Sequence, residues 1–240
     1  MYFDIHSHIL PDVDDGAKDM KEALVLLKMM KKDGISAVVA TSHFYPEMTN
    51  YEQYISITSE AFKELNSKKS DKKSPQIYLG CEMLYYKGIG NSEVLSELCL
   101  NKSKYLLLEL TDFVINEELF EDLLKLKEKE IMPIIAHVER YYKARNYKKF
   151  IQFLSENNIP VQINASSVLT RAYRRVIKNI LNQNLFCVLA TDTHSIEERP
   201  PMMRGDFDYI KDKYGQEMCD KLTTNSRKLY DEIIGENIEK

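Results

Sequence analysis

Short apolar runs alternate along this chain with longer segments whose apolar residues recur every three to four positions. The runs at 3–5, 35–40, 76–80, 105–108, 132–136, 161–163 and 185–190 predict seven strands. Between the first two, Asp19 and Glu22 form a capping box ahead of Ala23, Leu24, Leu26, Leu27 and Met30, and Gly34 stands where that helix should stop. A second helix is expected from Tyr51 to about Leu65, then a solvated lysine-rich loop over 67–74. Asn116 caps a third, with Glu117 and Glu118 in its first turn, an apolar stripe of Leu119, Phe120, Leu123 and Leu124, and lysines at 125, 127 and 129 suited to the negative end of its dipole. Helices follow over 147–157 and 169–181, and the remainder from about Asp206 reads as helical. Strands that alternate with helices imply parallel pairing through helical crossovers. No change of composition divides the 240 residues, so a single α/β domain over 1–240 is expected. An open doubly wound sheet and a closed barrel both fit this pattern.

The polar residues favour the barrel. His6 and His8 follow the first strand, His43 the second, Glu82 the third; Glu109 ends the fourth, His137 follows the fifth, and Asp192 with His194 the seventh. All five histidines of the chain are in this set. In a β/α barrel the C-terminal strand ends converge on one face, where active sites are built. His6 and His8, two apart on extended chain, point the same way. A cluster of imidazoles and carboxylates suits Mn²⁺, Fe²⁺ or Zn²⁺. The set is too large for one ion, so two or three ions sharing carboxylates are expected, as in sites that hydrolyse phosphoesters. Arg140, three residues after His137, and Arg199, five after His194, are suited to bidentate contact with phosphate oxygens.

Composition narrows the alternatives. The formal charge of −4 gives no global basic field for nucleic acid, and no apolar run approaches the length of a membrane span. The amino-terminal residues have neither the basic start nor the long apolar stretch of a signal peptide. Cys81, Cys99, Cys187 and Cys219 are scattered, without the paired spacing of a structural zinc site, and read as free thiols of a cytoplasmic protein. No cysteine has an arginine six positions on, no phosphate-binding glycine loop is present, and Gly88-Ile89-Gly90 lacks the third glycine of a dinucleotide fingerprint. Tyr85 and Tyr86 are expected as packed aromatics, with the mouth of the site as the alternative.

With these residues assembled, the chain resembles the PHP (polymerase and histidinol phosphatase) superfamily, and within it the bacterial tyrosine-protein phosphatases of capsule and exopolysaccharide operons, the CpsB/CapC/YwqE type. The resemblance runs nearly end to end, through DIHSHILPDVDDG, ATSHF, GCEMLYY, LLLEL, AHVERY, QINASS, ATDTHS, RPPMMR and NSRKL. It implies a distorted (β/α)7 barrel with a trinuclear metal site. His6, His8, Glu82 and Asp192 would surround one ion. Glu82 would bridge to a second, held with Glu109 and His137, and Asp15, His43 and His194 would hold the third. Asp15 is taken in preference to Asp12 and Asp14 because the family's ligand directly precedes the glycine, here Gly16. Arg140 and Arg199 match the family's phosphate-contacting arginines. Val138 stands where the family often has proline, and Thr193 also departs from it; neither change removes a ligand.

The expectation is a phosphoric monoester hydrolase with two to three divalent cations, Mn²⁺ first and Fe, Zn or Mg as alternatives. Arg140, Arg199, Asp192 and His194 are its expected catalytic residues. Water-derived in-line attack, without a phospho-enzyme, would release the tyrosine phenolate. The resemblance implies as substrate the phosphotyrosine-bearing C-terminal tail of a bacterial tyrosine autokinase that controls polysaccharide export. The rivals are a histidinol-phosphatase-like hydrolase of small phosphoesters on the same metals, and a catalytically silent binding module, which should have lost ligands that this chain retains.

Overall fold

Among the described residues nine strands form where seven were expected, because short strands follow two of the apolar runs, at His43–Phe44 and Glu82–Leu84. The structure is a computed structural model that describes residues 1–70, 72–111, 115–183 and 185–235. β1 (Tyr2–Asp4) leads through α1 (Met20–Asp33) into β2 (Ile35–Ala40). After Thr41 and Ser42 the chain resumes as β3 (His43–Phe44), and α2 (Tyr51–Lys68) follows. β4 (Gln76–Leu79) jogs through Gly80 and Cys81 into β5 (Glu82–Leu84). Then come β6 (Tyr105–Glu109), α3 (Glu117–Glu128), β7 (Met132–Ile135), a 3₁₀ segment Val138–Lys143, α4 (Tyr147–Glu156) and β8 (Val161–Asn164). The chain ends through α5 (Ala165–Leu169), α6 (Arg174–Leu181), β9 (Cys187–Ala190), α7 (Met203–Tyr214) and α8 (Gln216–Gly235).

Every strand pair is parallel, as expected, but the closed seven-stranded barrel is not what the hydrogen bonds form. β1-β2-β4 make one sheet and β3-β5-β6-β7-β8-β9 another. The cause is local at both junctions. Where β2 and β4 give way to β3 and β5, Glu82 N–H is shared between the carbonyls of Thr41 and Ser42, 3.2 Å from each, so the ladder slips. Gly80 is needed at that slip, since a Cβ there would meet Leu100 Cδ2 at 2.7 Å and Val39 Cγ1 at 2.8 Å. Between β9 and β1, the buried Asp4 carboxylate accepts from Thr191 N–H (3.0 Å) and Thr191 Oγ1–H (2.6 Å), a side chain standing where a ladder bond would form. Past the strand ends the chain does join, through Asp192 N–H to His6 O (2.9 Å), His8 N–H to Thr193 O (2.8 Å) and Thr41 N–H to Ser7 O (2.8 Å). Those bonds run through the very residues that carry the histidines.

The capping expectations for α1 and α3 are met: Asp19 accepts from Glu22 N–H and Asn116 from Leu119 N–H, and Gly34 ends α1 at φ 98°. The first two residues of the expected lysine-rich loop belong instead to α2, and Asp71 lies outside the described residues. The helix expected over 169–181 begins later, as α6 from Arg174; α5 ends at Leu169 and Thr170 is extended between them. Gly215, at φ 89°, separates α7 from α8. Both faces of the strands are buried. Phe3, Ala37, Val39, Leu107, Ile134 and Val188 pack in one cluster with Leu229 and Ile233 of α8, while Val38, Leu106, Leu108, Ile135 and Leu189 pack in a larger one with the other helices. Strands buried on both faces read as continuous apolar runs, which is why they were visible in the sequence.

One buried group works against this packing. Asp206, in the first turn of α7, is fully buried with neither carboxyl oxygen hydrogen-bonded, and burial, then the charge of Asp33, raises its pKa to about 7. Because the folded-state pKa exceeds that of the unfolded chain, this group costs stability progressively as pH climbs from about 4 to 7 and by a constant amount above. Asp206→Asn should therefore gain on the parent by about 1.4 kcal/mol per pH unit between pH 5 and 7, measured by urea unfolding of chelator-treated protein. Parallel pH profiles for the two proteins would show that Asp206 is not the titrating group.

Candidate metal centre

The residues that follow β1, β2, β4, β7 and β9 meet on one side of the molecule, with their backbones held by the junction bonds described above. Two of them are turned inward by unusual backbone: His137 sits at φ 32° and Asp192 at φ 53°, each two residues past its strand. Left-handed backbone at a non-glycine residue is costly and persists where the surroundings over-determine it. Gly16 lies under the acidic loop, where a Cβ would come to 2.1 Å from His8 O.

His6 and His8 present Nε2 atoms 3.2 Å apart. Glu82 Oε2 lies 3.1 Å from both, and Asp192 Oδ1 lies 3.4 Å and 3.5 Å away. Four donors with such separations outline a metal polyhedron, since ligands about 2.1 Å from a tetrahedral ion stand roughly 3.4 Å apart. Beside it, His137 Nε2 is 3.0 Å from Glu82 Oε1 and 3.4 Å from Glu109 Oε1. On the other side Asp15 Oδ1 is 3.5 Å from His43 Nε2 and 3.4 Å from His194 Nε2. His43 Nδ1 in turn is 3.0 Å from Glu82 Oε2, without the alignment of a hydrogen bond. Three overlapping groups could thus hold a metal ion: His6, His8 and Asp192; His43, Glu82 and Glu109; and His8, Asp15, His43 and His194. The expected ligand positions lie close together, but the groups differ from those expected: the third gains His8, the second has His43 in place of His137, and the first lacks Glu82, although Glu82 lies 3.1 Å from His6 and His8 and 3.0 Å from His137.

The fit to cations is tested by the atoms that find no other partner. His43 Nδ1, Glu82 Oε2 and His194 Nε2 are buried without hydrogen bonds. The outer nitrogens of the other imidazoles and of His194 are, by contrast, engaged. With the proton placed on Nδ1, His6 donates to Gln162 Oε1 (3.1 Å), His8 to Asp14 Oδ2 (2.8 Å), His137 to the Tyr141 hydroxyl oxygen (3.0 Å) and His194 to the Asp192 carbonyl (2.8 Å). Each bond leaves the Nε2 lone pair facing the cluster, the arrangement by which outer partners orient metal-binding imidazoles.

Burial opposes a charged His8, yet Asp14 and Glu82 outweigh it and hold the ring up at about 10; Glu109 and Glu82 do the same for His137, at about 9. Burial would also raise Glu82, but the surrounding imidazoles, His6 foremost, hold it well below the ordinary carboxylate range. Asp192 is lowered in the same way. Burial and the neighbouring His8 push His194 down. Positive charge is thus demanded at this point, and protons on His8 and His137 are what a cation would displace.

The cluster opens on one side. His43, Glu109 and Asp15 expose 13%, 20% and 62% of their side chains, against 0% for His6 and His8. On that side Arg140 donates to Asp192 Oδ2 at 2.5 Å, and Arg199 reaches Asp15 Oδ2 (3.3 Å) and Asp192 Oδ2 (3.5 Å). Tyr45 stacks on His43 with ring centroids 5.1 Å apart, an aromatic at the rim that the sequence reading passed over. Tyr85 is a packed aromatic, its hydroxyl donating to Asp122 Oδ2 on α3.

The sequence did not reveal the supporting role of four further residues. Asp14, set aside as a ligand, is the acceptor behind His8 and also takes Gly16 N–H (3.0 Å) and His43 N–H (3.0 Å). Gln162 and Asn164 form a relay: Gln162 Oε1 accepts from His137 N–H (2.7 Å), Gln162 Nε2 donates to Asn164 Oδ1 (2.7 Å), and Asn164 Nδ2 donates to Asp192 Oδ2 (2.6 Å). Tyr141 completes the set by receiving Leu110 N–H and facing His137. The available signal was two amides spaced by two in the otherwise apolar β8, which puts both on one face.

Comparison with known proteins follows the same line. The family model described as capsular polysaccharide synthesis, CpsB/CapC, matches residues 2–231. The tyrosine-protein phosphatase CpsB of Streptococcus pneumoniae is 30% identical, over 96% of this chain and 99% of that protein. A putative tyrosine-protein phosphatase CapC of Staphylococcus aureus is 31% identical, over 98% and 94%. Tyrosine-protein phosphatase YwqE of Bacillus subtilis is 28% identical, over 94% and 90%. Among solved structures, those of YwqE from Bacillus subtilis and CpsB from Streptococcus pneumoniae, metal-dependent tyrosine phosphatases, include a chain that matches this fold at a TM-score of 0.80 with 23% identity, over 94% of this chain and 92% of that one. With the family model spanning nearly every described residue and relatives of similar length at about 30% identity, the chain belongs to the CpsB/CapC family.

Proposed function

We propose that this chain is a metal-dependent protein-tyrosine phosphatase, acting as one catalytic unit over residues 1–240. The observation that carries the reading is the placement of two guanidiniums, Arg140 and Arg199, on the open side of a buried cage of imidazole nitrogens and carboxylate oxygens. Relatives of similar length named tyrosine-protein phosphatases support the substrate class.

His6, His8, Glu82 and Asp192 would hold one divalent cation, Glu82 with Glu109 and His137 a second, and Asp15, His43 and His194 a third. Mn²⁺ suits this mixture of nitrogen and oxygen donors, with Fe, Zn or Mg as the alternatives. When bound, such ions supply Lewis acidity toward the phosphoryl oxygens and the attacking water. The remaining work falls to the chain. Arg140 and Arg199, now sharing Asp192 Oδ2, would turn to the phosphoryl oxygens and neutralise the charge that develops there. His194, held low by burial and by His8, stays neutral at working pH and keeps its Nε2 available as a donor. Asn164 holds Asp192 Oδ2 in place as the arginines leave it. The departing phenolate has an ordinary pKa near 10 and needs little protonation. Tyr45 at the rim offers an aromatic face to the substrate ring.

The substrate in this reading is the phosphotyrosine-bearing tail of a bacterial tyrosine autokinase, and the setting is capsule or exopolysaccharide synthesis in the cytoplasm. No helix among the described residues is long and apolar enough to cross a membrane.

Phosphotyrosyl peptides should be hydrolysed with Mn²⁺ and activity should vanish with chelator. A clear preference for histidinol phosphate over phosphotyrosyl peptide would replace this reading with the small-phosphoester one. Arg140→Ala should lower kcat/KM by roughly 100- to 1000-fold with an unchanged circular dichroism spectrum, and full activity would remove Arg140 from the mechanism. Asp15→Ala should bind one metal ion fewer per chain by elemental analysis; an unaltered content would exclude Asp15 as a ligand.

A further inference from the structure

A cleft of about 1290 Å³ lies between α4 and α6, lined by none of the residues of the metal centre. Its near wall is the continuation of the segment that carries Arg140: Tyr142 and Arg145 line it, and Arg145 lies only five residues further along, within roughly 18 Å of chain. The charged residues around it are Arg145, Lys148, Lys149 and Arg175, against the single carboxylate of Glu156. This is a local excess of positive charge on a chain whose formal charge is −4. Lys149 pairs with Glu117 on α3; among the described residues no carboxylate lies within 4 Å of Arg145, Lys148 or Arg175.

The charge is also graded along the cleft. Lys148 and Arg175 stand in the first turns of α4 and α6, the ends that follow the residues past β7 and β8 and so face the side of the metal centre. Glu156 is at the far end, the last residue of α4. Basic residues in a first helical turn oppose the helix dipole, so the stability of α4 and α6 does not call for them there.

We infer that this cleft docks an acidic segment of the substrate chain, to one side of the scissile phosphotyrosine. The identity of the docked chain rests on the phosphatase reading above; the charge preference of the cleft does not. Three unneutralised cations next to a site that must itself attract a dianion would concentrate an anionic peptide and set its direction across the mouth.

The test uses full-length, Mn²⁺-loaded protein and a variant with Arg145→Glu, Lys148→Glu and Arg175→Glu, all at exposed positions. Fluorescence anisotropy at low salt compares peptides bearing a run of glutamates before or after a tyrosine with the same peptides carrying glutamines. The parent should bind one glutamate peptide at least about tenfold more tightly than its glutamine counterpart, and the triple variant or raised salt should erase that advantage. With the tyrosine phosphorylated, kcat/KM should follow the same pattern, while turnover of a small aryl phosphate stays unchanged and shows that the variant is folded. Equal binding of glutamate and glutamine peptides by the parent, or an advantage kept by the triple variant, overturns the inference. A single-stranded oligonucleotide that displaces the peptide at lower concentration assigns the cleft to nucleic acid and overturns it too. Charge-dependent binding without hydrolysis of any phosphotyrosyl peptide would support the cleft while removing the phosphatase reading.

Discussion

Glu82 is the constraint on which the rest depends. Its carboxylate is buried, and its two oxygens lie within 3.1 Å of ring nitrogens from His6, His8, His43 and His137. A buried carboxylate with so many basic neighbours is tolerable only if positive charge is shared among them, as protons or as metal. Its position is set by backbone as much as by chemistry. After the jog at Gly80 and Cys81, where the strands divide into two sheets, Glu82 begins a new strand paired with β3, opposite His43 in register. A continuous β4 would have kept the ladder regular and placed this carboxylate elsewhere.

Around that carboxylate the chain separates two tasks. The buried wall orients imidazoles through Asp14, Gln162, Tyr141 and a backbone carbonyl, so that nitrogen lone pairs converge. The open wall holds Asp15 and the two arginines, partly exposed and joined by ion pairs that a phosphate can compete with. A phosphoryl group entering there would take over the guanidinium contacts that Asp192 now makes, without disturbing the imidazoles behind it. The family relation and this division of labour agree without resting on each other.

If it docks the substrate chain, the cleft between α4 and α6 extends the open wall sideways. Lys148 and Arg175 are placed in first helical turns, where helix stability does not favour them, and Arg145 and Lys148 follow on the segment bearing Arg140. A binding surface that starts where the reacting group ends would let the enzyme recognise a chain and not only a phosphate.

Much of this was legible in the order of residues. Strands buried on both faces announce themselves as apolar runs, and a histidine or carboxylate after nearly every run already implied that these side chains share a face, because parallel strands point their ends the same way. Asp19, Asn116 and Gly34 act through neighbours within one turn, so their roles were local and readable. What depended on distant segments was not. The split of the sheets lies where Glu82 N–H is shared between the carbonyls of Thr41 and Ser42 and where Asp4 binds Thr191, contacts between residues far apart in the chain. The same holds for Asp14 behind His8 and for the relay from Gln162 through Asn164 to Asp192. The basic cleft needs α4 and α6 side by side before its charges are neighbours at all. The sequence by itself determined which donor atoms the protein possesses and on which side of the strands they lie; only the tertiary structure decided which of them meet, because distances of about 3 Å between residues far apart in the chain are properties of packing and not of periodicity.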